Sequence, residues 1–126
     1  MGFKQGDLVL EVGRDTDSDD SLRDAISGIT GTPLIEDSTE EVVDGVLLWW
    51  RDGDGDLEDE LVDALTYLSE SGSVWLLTPK AGRDGHVEPS DIQSAAPNVG
   101  LSQTSTLAVA RDWTATHLVA RKTAKR

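Results

Sequence analysis

The segment TPKAGRDGH, residues 78–86, carries the side chains of this chain best suited to binding chemistry. Lys80, Arg83 and His86 place two cations and an imidazole on a glycine-containing loop, in a chain whose formal net charge is −13. Such groups can bind an anionic ligand or the carboxylates of a partner. The same loop can instead neutralise an acidic loop elsewhere in the fold, and this is the interpretation we favour. The aspartates of that acidic loop are Asp52, Asp54 and Asp56.

The tripeptide Trp49, Trp50 and Arg51 forms a second candidate contact surface. Trp and Arg are enriched among the residues that contribute most to binding at protein interfaces. Because neighbouring residues on a strand face opposite sides of a sheet, Trp49 and Trp50 cannot fill the same layer of the core. We expect one indole to cover a helix interface and the other to border a ligand crevice, while core packing under the flanking helices remains the simpler explanation.

The acidic run DGDGDLEDE, residues 52–60, begins like a calcium-binding loop. Its aspartates occupy positions one, three and five of such a loop. Leu57 replaces the glycine needed at position six, and Asp63 replaces the bidentate glutamate that closes the site. A turn followed by helix-capping carboxylates explains the run, so we expect no metal site.

Few residues are suited to catalysis. The chain has no cysteine, and it contains neither a serine elbow, nor a zinc-binding helix motif, nor a phosphate-binding loop. Its two histidines are His86 and His117. No nucleophile that His86 could activate is identifiable, and His117 falls in a segment where a structural role is expected. The sequence therefore assigns no catalytic residue.

Composition and charge limit the partners. With 126 residues, of which 37% are apolar, the chain is expected to form one domain over residues 1–122, followed by a frayed basic tail over 123–126. Residues 1–70 contain twenty acidic and four basic side chains, a net charge of −16, whereas residues 71–126 contain four acidic and seven basic ones, a net charge of +3. The negative field disfavours DNA, RNA and anionic membranes as partners of the first half and favours a basic protein surface. Solubility alone explains the acidity equally well.

No membrane segment or targeting signal is recognisable in the sequence. The longest apolar run, VLLWW at residues 46–50, is far too short to span a bilayer. The first residues also lack the pattern of a signal peptide. Together with the lack of cysteine, these observations predict a cytoplasmic protein without membrane contact.

The first elements are a strand and a helix. A short apolar run predicts a strand over residues 7–13, and the next apolar residues recur at helical spacing. These residues are Leu22, Ala25, Ile26 and Ile29. Asp17 or Ser18 is the expected N-cap of this helix, and Gly31 lies where a C-terminal glycine is favoured.

The middle of the chain continues the alternation. Strands are predicted over residues 33–37, 42–50 and 73–79, and the second of them is apolar enough to be buried on both faces. Between the last two strands, a helix capped by Asp56 is expected to end before Gly72. Its apolar stripe is Leu57, Leu61, Ala64, Leu65 and Leu68.

The last third adds a small helix and a hairpin. The helix begins at about Ser90 and is stopped or bent by Pro97. Two strands follow, over residues 101–109 and 113–121, at hairpin spacing. Strands that alternate with helices imply parallel pairing, and the terminal hairpin adds an antiparallel edge. The predicted fold is a small Rossmann-like three-layer α/β domain, with a mostly parallel sheet and a C-terminal antiparallel hairpin.

This order of elements resembles the class I S-adenosylmethionine-dependent methyltransferases, whose parallel sheet is completed by a C-terminal antiparallel hairpin. The segments that carry the resemblance are DLVLEVG, VDGVLLWW and LEDELVDALTYLSESGSVWLL. The resemblance implies a cofactor site beside Gly13, with Glu36 or Asp37 in the position that holds the ribose hydroxyls. The segments WLLTPKAGRDGHVEPSDI and RDWTATHLVARK more closely resemble a family of small actinobacterial proteins of unknown function, which implies no activity.

Two departures from the methyltransferase pattern weaken the enzymatic interpretation. Gly13 is followed by RDTDSDD instead of further glycines, and these side chains hinder the approach of a ligand to the backbone. About thirty residues separate Gly13 from Asp44, too few for the strands and helices that the fold places there. One helix and one strand of that fold are therefore expected to be missing.

In an open parallel sheet, ligands bind in the crevice beyond the carboxyl ends of the strands. The candidate binding residues that this rule brings together are Gly13, Arg14, Trp49, Trp50, Arg51, Lys80, Arg83 and His86. We expect the acidic and basic loops to face each other across this crevice. The first hypothesis is a non-catalytic interaction or regulatory module without a cofactor, which turns its acidic surface toward a basic partner. The alternative is a reduced methyltransferase-like protein that binds S-adenosylmethionine or a related nucleoside at the same edge.

Overall fold

The computed structural model describes residues 3–36, 42–109 and 111–120. Asp37 and the predicted tail over residues 123–126 lie outside them. Three helices and six strands are present in this part of the chain. In chain order they are β1 (Val9–Val12), α1 (Asp20–Thr30), β2 (Ile35–Glu36), β3 (Val43–Trp49), α2 (Leu57–Leu65), β4 (Leu68–Pro79), α3 (Pro89–Asn98), β5 (Leu101–Ala108) and β6 (Trp113–Ala120).

The strands form one sheet in the order β2, β1, β3, β4, β6, β5. The first four are parallel, and β6 and β5 add the predicted antiparallel hairpin. Leu10 lies opposite Val46, Val46 opposite Val74, and Val74 opposite Leu118, so apolar residues cross the centre of the sheet. The predicted fold class is confirmed. Between β1 and β3 the described residues hold one helix and one two-residue strand, as expected for a shortened fold.

Helices cover both faces of the sheet and produce three layers. On one face Leu48, Trp50 and Leu76 pack beneath α2 and α3, and on the other Trp49 and Trp75 pack with α1. Leu48 and Leu76 are almost fully enclosed, and the burial of such a side chain stabilises a fold by about 1.5–3 kcal/mol. The prediction that Trp49 and Trp50 face opposite sides is therefore confirmed.

The N-cap of α1 differs from the prediction. Asp19 caps this helix and accepts a hydrogen bond from the N–H of Leu22 at 2.9 Å. Asp17 and Ser18 were the wrong choices because the Asp17 carboxylate binds Arg51, and the Ser18 hydroxyl accepts from the N–H of Asp15. At the other end of the helix, Gly31 adopts the left-handed conformation with φ +80°, as its position predicts.

The second helix begins as predicted but ends earlier. Asp56 is its N-cap and accepts from the N–H of Glu58 at 2.9 Å. The helix ends at Leu65, before a turn, and Leu68 opens β4 instead of extending the apolar stripe. The strand therefore begins before Gly72 and not after it. In α1, Ile29 is half exposed and does not join the core.

Pro97 does not stop the third helix. This helix begins at Pro89 and continues through Pro97 to Asn98. Ile92, Ala95 and Ala96 form its buried side, as predicted. No helix in the described ranges is long and apolar enough to cross a membrane.

Candidate functional site

The carboxyl ends of β1, β3 and β4 meet at one edge of the sheet. Their last residues are Val12, Trp49 and Pro79, so the segments that follow them lie side by side as predicted. Trp113, the first residue of the antiparallel β6, lies opposite Pro79 and joins the same edge. The crevice predicted to contain the candidate binding residues lies along this edge.

Gly13 allows the loop after β1 to cross the end of β3. Its φ is +82°, and a Cβ built on it would lie 2.4 Å from the carbonyl oxygen of Trp49. No L-residue with a side chain fits there without displacing backbone. In this chain the glycine therefore allows the loop after β1 to pack closely against the end of β3.

Arg51 occupies the centre of the crevice. Its guanidinium binds the Asp17 carboxylate through two nitrogens, with Nε 2.9 Å from Oδ2, and Nη1 donates to the carbonyl oxygen of Gly13 at 2.8 Å. The guanidinium also lies over the Trp113 ring, 5.2 Å from its centroid, and Nη1 is 3.7 Å from Asp54 Oδ2. The hydrogen bond from Arg51 lowers the pKa of the Asp17 carboxyl below its usual value. A side chain predicted as a contact residue thus holds together the loop after β1, its own loop and the start of β6.

Glu11 is a buried carboxylate that was not predicted from the sequence. It lies in β1 with its side chain fully enclosed, and its Oε2 accepts from the indole N–H of Trp49 at 2.8 Å. Arg23 of α1 donates to both of its oxygens, at 2.6 and 2.9 Å. These hydrogen bonds to Glu11 raise the pKa of Arg23. The available signal was an acidic residue inside an apolar strand, followed twelve residues later by an arginine on a helix.

Two other predicted residues lie at the margin of this network. Glu36, at the end of β2, is exposed and approaches Arg23 with its Oε2 3.6 Å from Nη2. Arg14 is about half exposed and lies 3.9 Å from Asp20. Both side chains are therefore largely open to solvent.

The basic loop does not pair with the acidic loop as predicted. Arg83 binds Asp112, with Nη1 3.2 Å from Oδ1. His86 Nδ1 lies 2.8 Å from the carbonyl oxygen of Pro79, and its Nε2 is 3.5 Å from Glu88. Lys80 is linked to Asp112 through its backbone N–H and has no carboxylate partner for its side chain within the described residues.

The two loops meet through their backbones instead. The N–H of Asp52 donates to the carbonyl oxygen of Gly85 at 2.8 Å, and a Cβ on Gly85 would lie 3.0 Å from that of Arg51. Gly85 therefore rests on the Arg51 side chain. The cation that pairs with Asp54 is Arg51. The prediction had expected Lys80, Arg83 or His86 in this role.

Two clefts flank this contact, one on each face of the sheet. The first has a volume of about 490 Å³ and lies beside Trp113 and the Arg83–Asp112 ion pair. The second has a volume of about 420 Å³ and lies beside Trp50, between the acidic loop and the start of α3. We call the second one the Trp50 cleft; its lining residues include Trp50, Asp52, Asp56, Leu57, Val87 and Asp91. The described residues hold no group of three or more acidic or histidine side chains that could bind a metal ion.

Comparison with known proteins gives a family and a fold. A family model described as "Protein of unknown function (DUF3052)" matches residues 1–122. A protein of Mycobacterium tuberculosis, described as uncharacterized, is 48% identical over 119 residues, which cover 94% of this chain and 75% of the relative. A protein of Mycobacterium bovis shows the same identity and coverage.

Solved structures of similar fold include methyltransferases. The ribosomal protein L11 methylase from Lactobacillus delbrueckii subsp. bulgaricus superposes with a TM-score of 0.61 at 11% identity, over 96% of this chain and 73% of that one. A SAM-dependent methyltransferase from Aquifex aeolicus gives a TM-score of 0.56 at 11% identity, over 93% and 84% of the two chains. At these identities the likeness shows a shared Rossmann-like, methyltransferase-like fold and nothing further.

Proposed function

We propose that this chain, which belongs to the DUF3052 family of proteins of unknown function, is a non-catalytic interaction module built on a methyltransferase-like fold and directed at a basic protein partner. The main support for the proposal is the set of contacts that Arg51 makes within its own chain. Its guanidinium joins Asp17 and the Gly13 carbonyl, so the chain uses the polar groups beyond β1 for its own cohesion.

The residues at this edge fit S-adenosylmethionine poorly. The resemblance implies a glycine-rich approach beside Gly13 and a free carboxylate at the end of β2. Here the segment after Gly13 is held over the crevice by Arg51, and Glu36 lies 3.6 Å from Arg23. Both features leave fewer free polar groups for the cofactor, so we assign no step of methyl transfer.

The histidines support the same conclusion. His86 is tied to the Pro79 carbonyl oxygen through Nδ1. His117 stacks on the Trp75 ring, with centroids 4.3 Å apart, and its Nδ1 contacts the Thr104 hydroxyl at 2.8 Å. Burial lowers the pKa of His117. No hydroxyl contacts His86 among the described residues, and the Thr104 hydroxyl beside His117 belongs to the outermost strand β5 and not to the crevice.

The charge of the acidic half favours a basic partner. The acidic loop and α2 present Asp52, Asp59 and Asp63 as exposed side chains. A surface of one sign raises the rate at which oppositely charged proteins associate, and salt weakens the effect. The expected partner is therefore a positively charged protein surface.

A binding assay tests the proposal. Anisotropy of a labelled peptide of alternating Lys and Gly should show binding at 20 mM NaCl and at least a tenfold weaker affinity at 300 mM, whereas a Glu and Gly peptide should not bind. If the cationic peptide fails to bind at low salt, the proposal is wrong.

The competing function is binding of S-adenosylmethionine or a related nucleoside, which the likeness in fold favours. A ligand that binds only the native state raises the melting temperature by mass action. We expect no change with S-adenosylmethionine or S-adenosylhomocysteine at 1 mM. A rise of two degrees or more would favour the competing function over ours.

A further inference from the structure

The Trp50 cleft combines an apolar floor with open walls. Trp50, Leu57 and Val87 supply the floor, and its volume of about 420 Å³ lies in the range of small-ligand sites. Gly53 and Gly55 form part of the wall, and a Cβ on Gly53 would meet nothing within 4 Å. The glycines add no side chain to this wall, so a side chain of a partner has room to enter beside Trp50.

Carboxylates without cationic partners form the rim of this cleft. Asp52, Asp56 and Asp91 line it, and all three are exposed. Within the described residues none of them forms an ion pair, because Arg51 binds Asp17 and Asp54, and Arg83 binds Asp112. Asp56 uses Oδ1 to cap α2, which leaves its other oxygen available.

The indole of Trp50 adds an independent sign of a ligand. The side chain is 6% exposed, and its N–H makes no hydrogen bond to a described residue. Because Trp50 lines the cleft, a ligand bound there lies next to this side chain. Trp49 and Trp113 differ, since their indoles donate to Glu11 and to the Asp17 carbonyl oxygen. A buried indole usually satisfies its N–H, and a peptide carbonyl would do so here.

We infer that the Trp50 cleft binds a lysine or arginine side chain of a basic polypeptide. The alkyl stem packs on Trp50, Leu57 and Val87, and the cation lies among the rim carboxylates. The indole N–H donates to a backbone carbonyl beside the inserted residue, which a free polyamine does not offer. This assignment rests on the proposed function and gives it a location.

A matched pair of variants tests the location. Asp52→Asn with Asp91→Asn removes two charges from the rim, and Asp15→Asn with Asp24→Asn removes two exposed charges outside it. An eight-residue Gly and Ser peptide with two arginines serves as the labelled probe. We expect at least a tenfold weaker affinity for the rim variant and less than a twofold change for the control. Circular dichroism and the melting temperature verify that both variants fold.

A third variant and a competitor test the chemistry. Trp50→Phe keeps the apolar floor but removes the indole N–H, so we expect about threefold weaker peptide binding. Spermidine, which has cations but no carbonyl, should compete at least tenfold less well than the unlabelled peptide. Equal losses in the rim and control variants, or equal competition by spermidine, overturn the cleft assignment while the proposed function stands. If the unmodified protein binds no cationic peptide, both fail.

Discussion

The Arg23 guanidinium forms a double hydrogen bond with the carboxylate of Glu11, from Nε at 2.6 Å and from Nη2 at 2.9 Å. The pair joins α1 to the centre of the sheet, and Trp49 completes the coordination of the carboxylate from β3. Because the Glu11 side chain is fully enclosed, its charge depends on these partners for the hydration that it lost on folding.

Removal of Arg23 should therefore be costly. Arg23→Met leaves a buried carboxylate without its cation, and we expect a loss of about 3–5 kcal/mol in the free energy of unfolding. Urea denaturation measures the change. Arg14→Met is the matched control, since Arg14 is exposed and lies 3.9 Å from its nearest carboxylate; it should change stability by less than about 0.5 kcal/mol. Similar losses in both variants would contradict the role given to Glu11.

Gly13 and Gly82 allow a clean comparison of two effects. Both have positive φ, +82° and +86°, but a Cβ meets the Trp49 carbonyl at 2.4 Å in the first case and nothing within 4 Å in the second. Gly82→Ala should lower the free energy of unfolding by about 1–2 kcal/mol, the cost of holding a residue with a side chain in the left-handed conformation. Gly13→Ala adds a clash with backbone, so its melting temperature should fall clearly further. If the melting temperature falls equally in both variants, the loop after β1 can move to accommodate the added Cβ, and the prediction is wrong.

The Asp17–Arg51 pair should produce a pH dependence of stability. The pKa of Asp17 is lower in the folded state, chiefly because Arg51 donates hydrogen bonds to the carboxylate. Its contribution is therefore present above the unfolded value, about 3.9, and is lost as pH falls through the folded value. Asp17 is about half exposed, so solvent screening keeps the effect below about 1 kcal/mol. The stability difference between the wild type and Asp17→Asn should shrink below pH 4, and urea denaturation at several pH values measures it.

Glu60 should behave in the opposite sense. Burial, together with the charges of Asp63 and Asp54, raises the pKa of its carboxyl in the folded state. Its ionisation therefore opposes folding, and the stability present below its unfolded pKa is lost as pH rises through the folded value. Glu60→Gln should stabilise the protein at pH 7 by up to about 0.5 kcal/mol and have no effect near pH 3. Asp59→Asn, on the exposed side of the same helix, should not stabilise; thermal denaturation at the two pH values decides.

Local patterns in the sequence predict most of the fold. The apolar run that ends at Trp50, the cap at Asp56 and the closing hairpin each depend on residues close together in the chain, so periodicity and capping preferences are sufficient to find them. The opposite orientations of Trp49 and Trp50 follow from the two-residue repeat of a strand. The same capping preferences are not sufficient at α1. The segment TDSDD contains several residues that can cap a helix equally well, and tertiary contacts determine that Asp19 does so.

The candidate site was harder to predict because its contacts join distant segments. Arg51 reaches Asp17 across thirty-four residues, and nothing local distinguishes that aspartate from its acidic neighbours. The edge of the sheet was predicted correctly, but the pairing of charges there was wrong. A backbone hydrogen bond between Asp52 and Gly85 determines where the basic loop rests, and sequence patterns contain no signal for such a bond.

The outermost strand β5 gives the acidity of the chain a second meaning. Its eight residues, LSQTSTLA, include no charged side chain, and among the described residues it pairs on one side only, with β6. Natural proteins usually protect such an edge with lysine, proline or a covering element, because an open edge invites strand addition by another copy. We expect the charge of −13 on every molecule to keep copies apart by mutual repulsion. Salt, which should release a basic partner, should also lower this barrier to self-association.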